Sequence, residues 1–212
     1  MARYESSSTP PGTIPSAFDR CISLVAGGSA SGGPCCLLFS MFQCDRGEPG
    51  ARSKKISSFM QQDVVMATNS SFIQASELSK HCDHPERFIN MHFFYPPIRM
   101  DLVEISYPDN VSKNVLERTK TVSKNMGRSV VVLKKETPGF IVNRMLAALV
   151  DEAYELYDEG IAEFEDIDIA IKKGLNHPLG PFELSDYSGL DIHYYAKLKK
   201  FEESGDLRDK PK

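Results

Sequence analysis

Several things are scarce in this sequence, and each absence excludes something. Cationic excess is missing: Lys and Arg total 25 against 29 Asp and Glu, a net charge of −4. That argues against a nucleic-acid binder or a membrane-surface binder, because both need a positive footprint. No apolar run approaches the ~20 residues of a membrane span. The longest mixed run, Cys35 to Phe42, is broken by Ser40. Cysteines are few and badly placed for a framework: four of the five lie before residue 54, and only Cys82 lies in the body. A disulfide scaffold needs its cysteines inside the fold, and a zinc site needs paired spacing that adjacent Cys35 and Cys36 do not supply. Free thiols, no metal site and the reducing cytoplasm are the expectation. No cleavable signal peptide is read, since the apolar stretch over 21–43 comes late and is interrupted by glycine pairs.

Lysine is absent from residues 1–53, which hold half of the 14 glycines and balanced charge, four basic and four acidic residues. Ser, Gly and Pro are dense there and periodicity is missing, so this segment is expected to be disordered or poorly packed. From Lys54 onward the composition becomes that of an ordinary globular chain, 41% hydrophobic and 25% charged over the whole sequence.

What is present after residue 54 reads as alternating strands and helices. Strands are expected over 63–67, 87–91, 101–106 and 128–133. Helices are expected from Phe72 to about Lys80, with Asn69, Ser70 or Ser71 as N-cap, and over Ser112–Met126. Prolines 96 and 97 end the second strand. Beyond Pro138-Gly139 the pattern turns helical: Phe140–Tyr157, Phe164–Lys173 closed by Gly174, a helix starting around Pro178–Pro181, and Leu190–Glu203. The domains are therefore read as 1–53, atypical; 54–136, α/β; and 137–212, helical.

In open α/β sheets, ligands bind beyond the carboxyl ends of the strands. Asn69 and Ser71 follow one strand, and His92 ends another. Glu104 sits between Val103 and Ile105 inside an apolar strand, so it needs a partner. His92 is a candidate, and a carboxylate beside an imidazole orients it and raises its pKa, preparing a general base. Blander readings stand beside these. Ser71 is also a helix cap, Glu104 can pair with Arg99 or Lys113, and Asn143 can be a helix-start residue bonding backbone.

Taken together, Ala67-Thr-Asn-Ser-Ser71, Met91-His-Phe-Phe94, Leu102-Val-Glu-Ile105, Thr137-Pro-Gly-Phe-Ile-Val-Asn-Arg144, Glu165-Asp-Ile-Asp168 and His177-Pro-Leu-Gly-Pro-Phe-Glu-Leu184 resemble the 3-hydroxyacyl-CoA dehydrogenase family. The order and spacing match from about Asp63 to Lys212. The resemblance implies a Rossmann-like NAD-binding domain, here only its second half, followed by an all-helical domain that dimerises and binds substrate. It implies NAD as cofactor, an acyl-CoA as substrate, and oxidation of an L-3-hydroxyacyl-CoA to the 3-ketoacyl-CoA. It assigns His92 as base, Glu104 as its supporting carboxylate, and Ser71 and Asn143 as donors to the substrate's oxygens. Asn69, Ser71 and Tyr95 fall where the family contacts its cofactor, with Tyr95 standing in place of a usual Asn.

The departures are as specific. The family's opening G-x-G-x-x-G turn has no counterpart in Gly27-Gly28-Ser-Ala-Ser-Gly32-Gly33. The helical domain also stops short of the family's usual end. The chain thus reads as a family member whose first nucleotide-binding half is replaced or lost. Two other functions are carried: an inactive acyl-CoA-binding or dimerising remnant that binds no NAD, and a related 3-hydroxyacid dehydrogenase of gulonate or carnitine type.

Overall fold

The computed structural model describes residues 23–26, 37–40, 64–71 and 73–189, with isolated positions between 54 and 58 and between 194 and 206. The chain divides into two compact units, 1–140 and 141–212, taken in turn below.

The first unit is built on a six-stranded mixed sheet. Its strands are β1 (Ser23–Ala26), β2 (Leu37–Ser40), β3 (Val65–Thr68), β4 (Phe88–Phe93), β5 (Leu102–Ser106) and β6 (Ser129–Val132), in that spatial order. β2, β3 and β4 run parallel, as do β5 and β6, while β1 opposes β2 and β5 opposes β4. The expectation of an unstructured segment over 1–53 therefore fails for Ser23–Ala26 and Leu37–Ser40. These eight residues pair into the sheet. The rest of 1–53 lies outside the described residues.

Alternation along the strands sorts side chains onto two faces. One face carries Val65, Ala67, Ile89, Met91, Val103 and Ile105, all buried, and packs against Val115 of helix α2 (Lys113–Asn125). Burying side chains of this size contributes roughly 1.5–3 kcal/mol each. The other face carries Met66 and Phe88, covered by Ala75 and Leu78 of helix α1 (Ala75–Ser79). Farther along that second face the residues turn polar: Thr68, Asn90, His92, Glu104 and Ser106, all buried.

Helix α2 starts where the sequence suggests, with Ser112 Oγ accepting from the Val115 N–H at 3.3 Å. Helix α1 does not. It begins at Ala75 behind a Gln74 that makes no side-chain cap. The polar residues expected to cap it are engaged elsewhere: Asn69 with Phe93, Ser70 with Ile73 and Ser71 with His92. Glu136, sixty residues on, accepts from the Ser76 N–H instead, at 3.2 Å. A carboxylate there also suits the positive end of the helix.

The second unit is helical: α3 (Val142–Asp158), α4 (Phe164–Gly174) and α5 (Pro181–Ser188). Tyr194, Tyr195, Lys197, Leu198, Phe201, Glu202 and Ser204 are helical as well. α3 starts later than the sequence suggests because Gly139 and Phe140 both adopt positive φ, 75° and 52°. After α4 it is Asn176, φ 56°, and not Gly174, that takes the left-handed position. Asp168 of α4 is buried, and its two oxygens accept from the Phe182 and Glu183 N–H groups at 2.9 and 3.0 Å. It thereby caps α5. Gly180 is required here, since a Cβ would sit 2.3 Å from the Asp168 carboxylate.

Candidate active site

The polar end of the sheet's second face forms the site. β4 and β5 are antiparallel, and their register sets His92 directly opposite Glu104. Both side chains fall on the same face, 3% and 1% exposed. His92 Nδ1 lies 3.1 Å from Glu104 Oε2, and its Nε2 lies 3.0 Å from Ser71 Oγ. A carboxylate only accepts, so Nδ1 carries the proton and Nε2 presents a lone pair toward Ser71. Of the partners open to Glu104 in the sequence, the structure chooses His92.

Two aromatic rings enclose the imidazole. Phe140 stacks flat on it, centroids 4.7 Å apart and planes 8° from parallel. Phe94 meets it edge-on, also at 4.7 Å. Phe140 is buried in the left-handed conformation that a bulky residue rarely adopts. Sequence reasoning missed it as a site residue. The available signal was Pro138-Gly139 just ahead, marking a backbone reversal.

These rings alter the electrostatics. Burial pushes the His92 imidazole below its ordinary value, and the hydrogen bond and negative charge of Glu104 pull it only part of the way back. The expected rise is thus corrected to a fall: removing the imidazolium from water outweighs one carboxylate. The result is an imidazole held neutral around neutral pH, with the unprotonated Nε2 beside Ser71 Oγ.

The remaining expected residues are placed as follows. Asn69 follows β3, and its Oδ1 accepts from the Phe93 N–H at 2.8 Å. Tyr95 lies just past β4 and is 84% exposed. Asn143 is the second residue of α3 in the helical unit and is half-buried. Cys82 is a free thiol that burial and neighbouring Asp83 push up to about 12, which removes it as a nucleophile. Among the described residues no three His, Cys, Asp or Glu side chains gather in a way that could hold a metal ion. No described helix is long and apolar enough to cross a membrane.

Asn69 and Ser71 stand together after β3, beside the neutral His92. The described residues show no glycine turn opening a helix that would take a pyrophosphate. β1 and β2 are antiparallel, so they do not form the parallel strand–helix–strand unit that carries such a turn.

Known proteins match this chain in two consecutive stretches. Residues 52–137 match "3-hydroxyacyl-CoA dehydrogenase, NAD binding domain", and residues 139–211 match the C-terminal domain of the same family. The mitochondrial hydroxyacyl-coenzyme A dehydrogenase of Sus scrofa is 42% identical over 138 residues, 65% of this chain and 44% of the relative. The 3-hydroxybutyryl-CoA dehydrogenase of Clostridioides difficile is 36% identical over 155 residues, 73% of this chain and 55% of the relative. Among solved structures, the (S)-3-hydroxybutyryl-CoA dehydrogenase of Ralstonia eutropha superposes with a TM-score of 0.72 at 31% identity, covering 82% of this chain and 62% of that one. The chain spans about half the length of the curated relatives it matches. With both domains of one family matched in order over residues 52–211, on a mixed sheet followed by helices, the chain belongs to the 3-hydroxyacyl-CoA dehydrogenase family.

Proposed function

We propose that this chain takes part in the NAD-dependent oxidation of an L-3-hydroxyacyl-CoA to the 3-ketoacyl-CoA, with His92 as the base. The observation that carries this reading is the hydrogen-bonded line Ser71–His92–Glu104, buried at one end of the sheet. His92 Nε2 takes the proton of the substrate's 3-hydroxyl, which shares the donor space of Ser71. Its unprotonated Nε2 and depressed pKa keep it ready for this at neutral pH. As imidazolium forms, the Glu104 carboxylate balances the new charge, and the two phenylalanine rings keep competing water away. Ser71 and Asn143 hydrogen-bond the substrate's oxygens, the latter on the family resemblance alone. Asn69, Ser71 and Tyr95 are the residues that would hold the nicotinamide. NAD, when bound, supplies the hydride acceptor.

The helical unit is proposed as the dimerising element. It exposes Met145 and Ile161 at 70% and 66%, and Tyr187 at 68%. Light scattering should then give twice the mass of the chain, and a monomer at micromolar concentration would refute it. The cytoplasm remains the proposed compartment on cysteine usage.

The reading is tested by following nicotinamide reduction with a panel of L-3-hydroxyacyl-CoA thioesters and free 3-hydroxy acids, with His92→Gln as control. Reduction should require the thioester and vanish in the variant. Reduction with free acids alone points to a gulonate- or carnitine-type dehydrogenase. A second reading, an acyl-CoA-binding or dimerising remnant, is favoured by the antiparallel β1–β2 pair and the missing glycine fingerprint. NAD reduction at millimolar NAD separates the two: the remnant binds acyl-CoA but reduces no NAD. The absent turn makes NAD affinity far weaker than micromolar the expectation even for the active reading.

A further inference from the structure

Asn90 lies in the middle of β4, is fully buried, and has no place in the proton path described above. Asparagine is a poor strand residue, and here it sits between Phe88 and His92 on the sheet's second face. Its Oδ1 is buried and has no hydrogen-bond partner among the described residues, so the amide is a net burden to the sheet. What it does provide is one good bond: Nδ2 donates to the Ser70 carbonyl at 2.8 Å, in a fully buried setting.

That bond belongs to a set of three. Residues of β4 grip successive residues of the turn after β3: the Phe93 N–H donates to Asn69 Oδ1, Asn90 Nδ2 donates to the Ser70 carbonyl, and His92 Nε2 meets Ser71 Oγ. The turn is closed internally as well, by the Ser70 N–H on Thr68 Oγ1 and the Ile73 N–H on Ser70 Oγ. Among the described residues, Ser71 is held to the strand through its contact with the imidazole. The peptide that carries it is the one whose carbonyl Asn90 holds.

We infer that Asn90 is a positioning residue of this site: by clamping the Ser70 carbonyl to β4, it sets Ser71 Oγ against His92 Nε2. The inference rests on the reading of His92 as the base, since only then does the placement of Ser71 at Nε2 matter for chemistry. It predicts that Asn90 acts on His92 through Ser71 and through nothing else. Asn90→Leu removes the donor with the same branching and number of heavy atoms, Asn90→Ala removes it without added bulk, and the Ser70–Ser71 peptide is then free to rotate away.

The test is imidazole nitrogen NMR on the full chain across pH, with the His92 signals identified by their loss in His92→Gln. Asn90→Leu, Asn90→Ala, Ser71→Ala and the double variant Asn90→Leu/Ser71→Ala are compared, with folding checked by circular dichroism. The expected result is that Ser71→Ala and Asn90→Leu both move the His92 Nε2 resonance toward that of a nitrogen without a donor. Their titration midpoints shift alike, and the double variant coincides with Ser71→Ala, because two changes along one line do not add. The proposal is overturned by a wild-type Nε2 signal in Asn90→Leu, by additive shifts in the double variant, or by a Ser71→Ala that leaves His92 untouched. It is equally overturned if neither Asn90 variant folds, since Asn90 is then a folding residue. None of these signals depends on turnover. A chain inactive with every thioester refutes the proposed reaction while leaving the clamp measurable.

Discussion

Two carboxylates are buried among the described residues, one in each unit, and they serve opposite ends. Asp168 in the helical unit gives both oxygens to backbone N–H groups at the start of α5. Both oxygens are used by structure. Glu104 in the sheet gives one oxygen to an imidazole that still has a nitrogen to offer. Burial of an acid therefore marks neither stability nor catalysis by itself. The partner decides: a peptide N–H consumes the carboxylate, whereas a histidine passes its influence on to a third group.

The comparison breaks if exchanging the partners' roles has no consequence, and the largest test is on His92. His92→Gln should lower turnover on the order of 10²–10⁴-fold, the usual share of a positioned base, with the melting temperature nearly unchanged. A melting temperature that collapses with turnover would make His92 structural, like Asp168. The converse holds in the helical unit. Asp168→Ala leaves two N–H groups of α5 without acceptors, at about 1–3 kcal/mol each. Thermal unfolding should show that loss, while the His92 titration stays put.

The pH dependence sharpens the contrast. His92 has a folded pKa below its unfolded one, so the unfolded chain binds the proton more readily. No stability is lost above the ordinary imidazole value of 6.5, and stability falls as pH drops through it toward the folded value. Turnover should follow a base titrating below 6.5. Phe140→Leu, which opens the stacked face to water, should raise that midpoint by up to about one unit. A midpoint that stays where it was would show that Phe140 is only packing. The smallest effect is expected at Glu183, whose carboxyl is held below the usual range by Lys172 and the Gly180 N–H. Its contribution is present at neutral pH and lost as pH falls through that lowered value. Glu183→Gln should therefore flatten only the acid limb of the melting curve against pH.

Much of this was legible in the chain. Period-two alternation in Leu102–Ser106 puts Glu104 and Ser106 on one face and Val103 and Ile105 on the other, whatever the neighbours. Prolines 96 and 97 end β4 just past His92. Leu37-Leu-Phe39, bounded by Pro34 and Ser40, was the strand signal passed over in the first fifty residues. The polar cluster at 69–71 reads both as a helix cap and as a strand-end site, because Asn and Ser serve caps and turn contacts with the same atoms.

Sequence alone determined the alternation, the breaks at Pro97 and Gly139, the residue types available to chemistry, and the family. Those follow from local sterics and side-chain chemistry, which act over a few residues. Tertiary structure alone decided that Glu104 pairs with His92 and not with Arg99 or Lys113, because that depends on the β4–β5 register. It also decided that the histidine's pKa falls, because desolvation is set by Phe94 and Phe140, the latter 48 residues from His92 along the chain. Finally, it decided that Asn90 reaches Ser70, a contact between a strand and a distant turn that no local pattern encodes.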